Sequence, residues 1–172
     1  MTVGEPQETF PLWRFSLDRY ARRGVAETCL WMQERIGADV NIVLAALWAA
    51  SEGRRLDRAA FETLQATEVG EWHLSAVRPL RAARVYTKRL PEGPDSGDIA
   101  ALRAIVKKAE LKAEHIEQRI LWRALQKIAA EPSPDREELA RANLAGYFAS
   151  LDFAVDPELE ARAVQLVSAC ID

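Results

Sequence analysis

The stretch DVNIVLAALWAAS, residues 39–51, decides the fold. Drawn as a helix, it presents apolar side chains on every side, and a helix that is hydrophobic all round is normally a buried one. Asp39 stands at its start, where a carboxylate can accept a hydrogen bond from the free backbone N–H groups of the first turn. We therefore predict a buried helix over residues 39–51, at the centre of the fold.

Prolines, glycines and capping residues mark the ends of the surrounding helices. Ser133-Pro134-Asp135 and Asp156-Pro157-Glu158 each indicate an N-cap followed by proline at the first helical position. Gly37 and Gly53 follow apolar-periodic stretches and indicate C-terminal caps. Between these marks, the helical period of apolar residues predicts helices over residues 11–22, 25–36, 39–51, 57–64, 69–90 and 98–130, and two more within 133–172.

These helices define the fold class. No stretch shows a convincing alternation of β-branched and polar residues, so strands are not expected. We predict an all-α protein, an irregular helical bundle of about eight helices that forms a single domain over residues 1–172. Residues 1–9 are expected to be a flexible N-terminus, 91–97 a loop and 133–172 a C-terminal helical pair.

The longest predicted helix contains neither glycine nor proline. At 1.5 Å per residue, residues 98–130 would extend over roughly 50 Å. Its apolar residues alternate spacings of three and four, which is a heptad seam that packs against another helix at a shallow angle. The predicted seam consists of Ile99, Leu102, Val106, Ala109, Ala113, Ile116 and Ile120.

The composition and charge of the chain indicate its compartment and argue against two classes of partner, nucleic acids and membranes. The chain has 172 residues, 49% of them hydrophobic, and a formal net charge of −3, which argues against nucleic-acid binding. The longest apolar run, residues 42–50, is too short to cross a bilayer, and residues 1–11 lack the apolar core of a secretion signal. Cys29 and Cys170 fall among apolar neighbours and indicate reduced core thiols. We expect a soluble cytoplasmic protein that contacts no membrane.

A family resemblance covers roughly residues 10–130. It rests on Leu12-Trp13-Arg14-Phe15-Ser16-Leu17, Tyr20, Cys29-Leu30, Gln33, Gly37, Asp39-Val40-Asn41, Trp48, Trp72 and Val77-Arg78-Pro79-Leu80-Arg81. In order and spacing these residues resemble the domain-of-unknown-function 2390 family, an uncharacterised family found mainly in proteobacteria. The resemblance implies a small cytoplasmic helical protein, and it assigns no functional residue.

A basic stretch around Pro79 is the first candidate site. Arg81, Arg84 and Lys88 are spaced three and four apart and share one helix face, and Arg78 precedes the proline. If a fresh helix starts at Pro79, free backbone N–H groups and arginine side chains would converge and could bind a small anionic ligand. Alternatively, the basic face is solvated or paired with acids elsewhere in the fold.

The two histidines suggest a second candidate. If helices 69–90 and 98–130 pack antiparallel, His73 lies opposite His115, with Glu110 and Glu114 nearby. Two imidazoles and two carboxylates between helices could hold a zinc, iron or manganese ion. The spacing differs from the Glu-x-x-His of di-iron bundles, and these charged residues could equally form a solvated stripe beside the seam.

Polar residues around the buried helix form the third candidate. Tyr20, Gln33, Asp39, Asn41 and Trp48 could line a partly apolar pocket for a small molecule. Capping and core packing explain the same residues without a ligand, because buried polar groups must be hydrogen-bonded in any case.

Trp31 stands apart, on an otherwise polar face of the helix over residues 25–36. A tryptophan so placed is either covered by another helix or offered to a partner protein.

The sequence contains no catalytic or cofactor motif that carries a mechanism. Nucleophile elbow, phosphate loop, Cys-x-x-Cys and His-Glu-x-x-His patterns are all missing, so no cofactor is expected. We therefore favour a non-enzymatic helical protein that contacts another macromolecule. The alternatives are a binder of a small anionic ligand through Arg81, Arg84 and Lys88, and a carboxylate- and histidine-based metalloenzyme.

Overall fold

The computed structural model describes residues 9–132 and 135–171, which fold into helices with short connections. The α-helices are α1 (Pro11–Tyr20), α2 (Val25–Ile36), α3 (Val40–Ser51), α4 (Arg58–Gln65), α5 (Glu68–Trp72), α6 (Arg78–Arg89), α7 (Ser96–Leu125), α8 (Arg136–Ser150) and α9 (Pro157–Cys170). A π-helical segment, His73–Val77, joins α5 to α6. Counting this continuous stretch once gives eight helices, and the described residues contain no strand, so the predicted all-α fold is confirmed.

Helix α3 is the centre of the fold, as predicted. Asp39 caps it, with a side-chain oxygen that accepts a hydrogen bond from the backbone N–H of Asn41 at 2.9 Å. Every residue from Asn41 to Ala50 is buried. Helices α1, α2, α7 and α8 pack around it.

Helix α8 packs closely on α3 because two of its residues, Gly146 and Asn143, allow the backbone of α3 and of the segment after it to approach. Gly146 faces the chain between α3 and α4, and a Cβ there would lie 2.9 Å from the carbonyl oxygen of Leu56. Asn143 is fully buried; its amide oxygen accepts from the N–H of Leu56, and its amide nitrogen donates to the carbonyls of Ala46 and Arg54. Asn143 therefore links α3 to the segment that follows it through backbone hydrogen bonds.

Most predicted helix ends are confirmed, with three corrections. Asp57 and Asp156 cap α4 and α9 as expected. Asp135, rather than Ser133, caps α8, and Ser133 and Pro134 lie outside the described residues, as do residues 1–8 of the predicted flexible N-terminus. Helix α7 begins at Ser96, inside the predicted loop.

The third correction concerns the C-terminal end of α7, which lies at Leu125 instead of Ala130. Beyond it, Ala130 forms an isolated β-bridge with Arg54, and the N–H of Glu131 donates to the carbonyl of Gly53 at 2.8 Å. The chain leaves the helix because it pairs with the turn that follows α3, a long-range contact that no local pattern signals.

Pro79 does not start a fresh helix. The backbone stays in the right-handed helical region at Val77 and Arg78, and the N–H of Arg78 donates to the carbonyl of His73 five residues earlier. The wider π-turn lets the helix pass through a residue that lacks an N–H donor. The free backbone N–H groups predicted beside Pro79 are therefore not formed.

The predicted heptad seam of α7 is only partly correct. Ile99, Val106 and Ala113 are shielded, but Leu102 is 51% exposed and Glu110 and Glu117 are buried. The shielded face includes charged residues because the helices opposite supply their partners. Among the described residues, no helix is both long enough and apolar enough to cross a bilayer.

Replacing Asn143 with alanine should lower the free energy of unfolding by about 1–3 kcal/mol, because the buried N–H of Leu56 loses its acceptor and the carbonyls of Ala46 and Arg54 lose a donor. Arg141→Ala, on an exposed part of the same helix, should change it by less than about 0.5 kcal/mol. Urea unfolding of both variants measures the difference. An Asn143→Ala variant as stable as the Arg141→Ala variant would contradict this role.

The two cysteines should resist thiol reagents in the native state. Both are fully buried, and burial raises the pKa of Cys29 to about 12, with a further contribution from Cys170. At pH 8 only about one Cys29 thiol in 10,000 is then a thiolate, the reactive form. Ellman's reagent should detect two thiols after denaturation and none before it, and rapid labelling of the native protein would show that this packing is wrong.

Candidate functional site

Three side chains from three elements meet at the N-terminal end of α3. Asp39 is the cap of α3, His73 begins the π-helical segment, and Glu117 lies on α7. The Nδ1 atom of His73 lies 2.7 Å from Oδ2 of Asp39 and 3.0 Å from Oε1 of Glu117. Asp39 and Glu117 are buried, and His73 is partly buried.

Polar side chains around this cluster hold the carboxylates in place. The side-chain amide of Asn41 donates to Oε2 of Glu117 at 2.6 Å, and its oxygen accepts from Gln118 at 2.9 Å. The backbone N–H of Asp39 donates to the hydroxyl of Tyr147 on α8 at 2.7 Å. The buried end of α3 is therefore linked to both α7 and α8 by hydrogen bonds.

The charges of the cluster depend on one another. Burial lowers the pKa of His73, but the adjacent carboxylates of Asp39 and Glu117 outweigh it and raise the pKa to about 9. Burial raises the pKa of Glu117 to about 8 against the opposing effect of His73. Burial also raises the pKa of Asp39, but the contact with His73 prevails and the net shift is downward. Near neutral pH, the cluster therefore holds an imidazolium next to an ionised Asp39.

A second polar network lies one to two turns further along the same helices. Arg81 donates to Glu110 at 3.1 Å, to Glu114 at 2.6 Å and to Gln33 at 2.6 Å. Arg84 binds both carboxylate oxygens of Glu110. Two of the four residues predicted to bind an anion are thus already engaged by internal acids, whereas Arg78 and Lys88 are exposed.

Two cavities flank these networks, and Gln33 and Arg81 line both. The first, of about 360 Å³, also contacts Tyr20 and Asn41. The second, of about 610 Å³, is lined by Asp39, His73 and Tyr147 among others. Four of the five residues predicted to line a pocket therefore line one or other cavity, and the fifth, Trp48, is buried in the core.

The predicted metal ligands are divided between different environments. His115 is buried, with its ring 5.2 Å from that of Phe10 and 4.8 Å from that of Trp13, as measured between centroids. Glu110 and Glu114 bind the arginines of α6. In the described part of the chain, Asp39, His73 and Glu117 are the one group of three potential ligands within 4.8 Å of one another. Residues two apart on a helix point to different sides, so His73 meets Glu117 and not His115.

Trp31 is partly covered within the monomer. The guanidinium of Arg162 on α9 lies over its ring, 4.6 Å from the centroid, and the ring packs against the core.

A long exposed surface lies elsewhere, on the hairpin formed by α6 and the first half of α7. No residue from Arg78 to Ala109 is buried.

Sequence reasoning missed Glu117, Gln118 and Tyr147 as parts of the site. The position of Glu117 next to the apolar seam is a signal that it faces inward. Gln118 and Tyr147 carried no local signal. Tyr147 reaches the cluster only because α8 packs on α3, which is a tertiary contact.

Replacing Glu110 with glutamine should destabilise the protein by about 1.5–3 kcal/mol at pH 7, the range for hydrogen bonds to charged groups. Burial raises the pKa of Glu110, but Arg84 and Arg81 outweigh it and place the pKa below its ordinary value. The unfolded chain therefore takes up this proton first as the pH falls. The stability difference from wild type should shrink between about pH 5 and pH 3, and a difference that stays constant over that range would contradict the pairing.

Comparison with known proteins identifies one family. The family model described as "Protein of unknown function (DUF2390)" matches residues 11–121, from the start of α1 to the last turns of α7. No curated protein and no solved structure matches the chain. The matched region contains Asp39, His73 and Glu117, and it covers well over half of the sequence. The chain belongs to the DUF2390 family.

Proposed function

We propose that the protein acts by binding an acidic, amphipathic helix of a partner protein along the hairpin formed by α6 and the first half of α7. The observation that carries this proposal is the exposure of the hairpin: no residue from Arg78 to Ala109 is buried, although the segment is helical on both sides of its loop. A two-helix arm that buries so little apolar surface gains little stability from its own packing. A partner that packs on the arm would bury its exposed apolar side chains and stabilise it.

The outer face of α7 offers both apolar and basic groups to such a partner. Leu102 and Ile105 are 51% and 65% exposed and lie three residues apart, so they are neighbours on the helix surface. Lys108 and Lys112 are exposed and continue the same face at helical spacing from Ile105. We call these four residues the α7 face. Apolar groups flanked by lysines match a helix with apolar and acidic residues at the same spacing.

Charge is distributed to favour an acidic partner. Residues 78–112 contain nine Lys or Arg and four Asp or Glu, although the whole chain carries a formal net charge of −3. A local positive field on an acidic protein steers an acidic surface towards one place and repels it elsewhere. Exposed Leu102 and Ile105 in the centre of this field favour a protein surface, since a nucleic-acid backbone would be met by charge alone.

The bacterial cytoplasm is the compartment that we propose for this interaction. Cys29 and Cys170 are buried and are not joined in a disulfide, which suits a reducing environment. The family resemblance to proteobacterial proteins supports the same setting.

The test places a photo-cross-linking residue at position 105 of the full chain in cells. Cross-linked peptides should come mainly from one acidic, amphipathic helical segment of one protein. A synthetic peptide of that segment should bind the purified chain, and Ile105→Asp should weaken binding by about 10-fold or more, as for a central interface residue. Raising the salt concentration should weaken binding too, because the lysines are solvent-exposed.

Val164→Asp provides the matched control, because Val164 is a comparably exposed apolar residue on α9. It should leave peptide binding unchanged. Three outcomes would overturn the proposal: cross-links equally frequent from position 164, cross-links to nucleic acid, or cross-links to a second copy of this chain.

A further inference from the structure

We propose that Asp39, His73 and Glu117 bind one divalent transition-metal ion through Oδ2, Nδ1 and Oε1. This site is separate from the hairpin surface and does not depend on the proposed partner. Two carboxylates and one imidazole form a mixed nitrogen and oxygen ligand set, of the kind that binds Mn²⁺, Fe²⁺ or Zn²⁺. On binding, His73 and Glu117 release their protons to solvent, and the two carboxylates then carry the negative charges that balance the ion.

The spacing of the three atoms fits a common metal ion. Nδ1 of His73 lies 2.7 Å from Oδ2 of Asp39 and 3.0 Å from Oε1 of Glu117, and the three atoms lie within 4.8 Å of one another. With metal–ligand bonds of about 2.1 Å, adjacent ligands lie about 3.0 Å apart in octahedral geometry. The two distances from Nδ1 are therefore within about 0.3 Å of the value that adjacent ligands need.

One ligand atom lacks a hydrogen bond. Oδ2 of Asp39 is buried and has no hydrogen-bond partner, although Nδ1 of His73 is close to it. The hydrogen-bond geometry of Nδ1 is met towards Glu117. Buried carboxylate oxygens are normally paired. A cation between the three atoms would satisfy Oδ2 and Oε1 together.

Asn41 orients both carboxylates towards the same point. Its backbone N–H binds Oδ1 of Asp39 at 2.9 Å, and its side chain binds Oε2 of Glu117 at 2.6 Å. Each carboxylate therefore has one oxygen fixed by Asn41 and the other beside His73. Gln118 in turn fixes the side chain of Asn41. Such hydrogen bonds to the ligands are a regular part of metal sites, where they set orientation and affinity.

The position of His73 provides access and open coordination sites. His73 and Asp39 line the cavity of about 610 Å³, so an ion could enter from that side. Three protein ligands leave further positions for water or a small molecule in the cavity. His73 also begins the π-helical segment, and single π-turns within helices frequently occur at functional sites.

The first test uses the wild-type chain after removal of metals with a chelator. Zn²⁺ titrated by calorimetry should bind with a stoichiometry of one per chain and raise the melting temperature. The chain contains only two histidines, so ¹⁵N-edited NMR spectra can distinguish them. Zn²⁺ should shift the Nδ1 resonance of His73 and leave His115 unchanged. Saturable binding that shifts His115, or the absence of saturable binding, would overturn the proposal.

Variants then test the ligand set. His73→Gln and Glu117→Gln should each weaken Zn²⁺ binding by more than about 100-fold, since even residues that only orient ligands account for about 10- to 100-fold. The sequence itself supplies matched controls, because His115 and Glu114 are the same residue types on α7 and lie outside the cluster. His115→Gln and Glu114→Gln should bind Zn²⁺ as the wild type does.

Circular dichroism and thermal melting of the metal-free variants show whether weaker Zn²⁺ binding comes from the missing ligand side chain or from an unfolded chain. If a ligand variant does not fold, the NMR result on the wild-type chain decides alone. Equal losses of affinity in the ligand variants and in the folded controls would contradict the proposal.

Discussion

Helix α3 is buried although its first residues are polar, and the partners that these residues need determine how the surrounding helices pack. Helix α3 is apolar on every side, so it must lie in the core, and its cap brings Asp39 and Asn41 into the core with it. Polar groups so placed cost several kcal/mol unless they are paired. Partners come from three directions: His73 from the π-helical segment, Glu117 from α7 and Tyr147 from α8. The cluster thereby fixes how α6, α7 and α8 meet the central helix.

The same arrangement divides the molecule into two parts. One is an exposed arm, which is the hairpin of α6 and the first half of α7, and the other is a packed body centred on α3. The second half of α7 belongs to the body, where Leu121 and Leu125 are fully buried. Its first half leaves the body together with α6, and the salt bridges of Arg81 and Arg84 lie where the two parts join. The cluster at the end of α3 lies close to this junction, since Arg81 and Gln33 line the cavity next to His73. An ion bound there would stiffen the base of the arm.

The sequence was most informative where the pattern was local. The all-round apolar composition of residues 39–51 predicted α3, and Asp57 and Asp156 predicted two caps correctly, because each depends on neighbouring residues alone. The site was harder to predict. His73 was singled out, but it was paired with His115, and only the geometry of the packed helices shows that it meets Glu117. Asn143 and Tyr147 carry no local signal, since their roles depend on how α8 lies on α3.

Hydrogen–deuterium exchange of the full chain, read residue by residue by NMR, tests this division most directly. We expect the amides of residues 43–50 in α3 to exchange only through global unfolding, with the slowest rates in the protein. Amides of residues 82–89 and 100–106 should exchange faster by about two orders of magnitude or more, through local opening of the arm. Equal protection in α3 and in the arm would show that the hairpin is an integral part of the core, and would contradict the account.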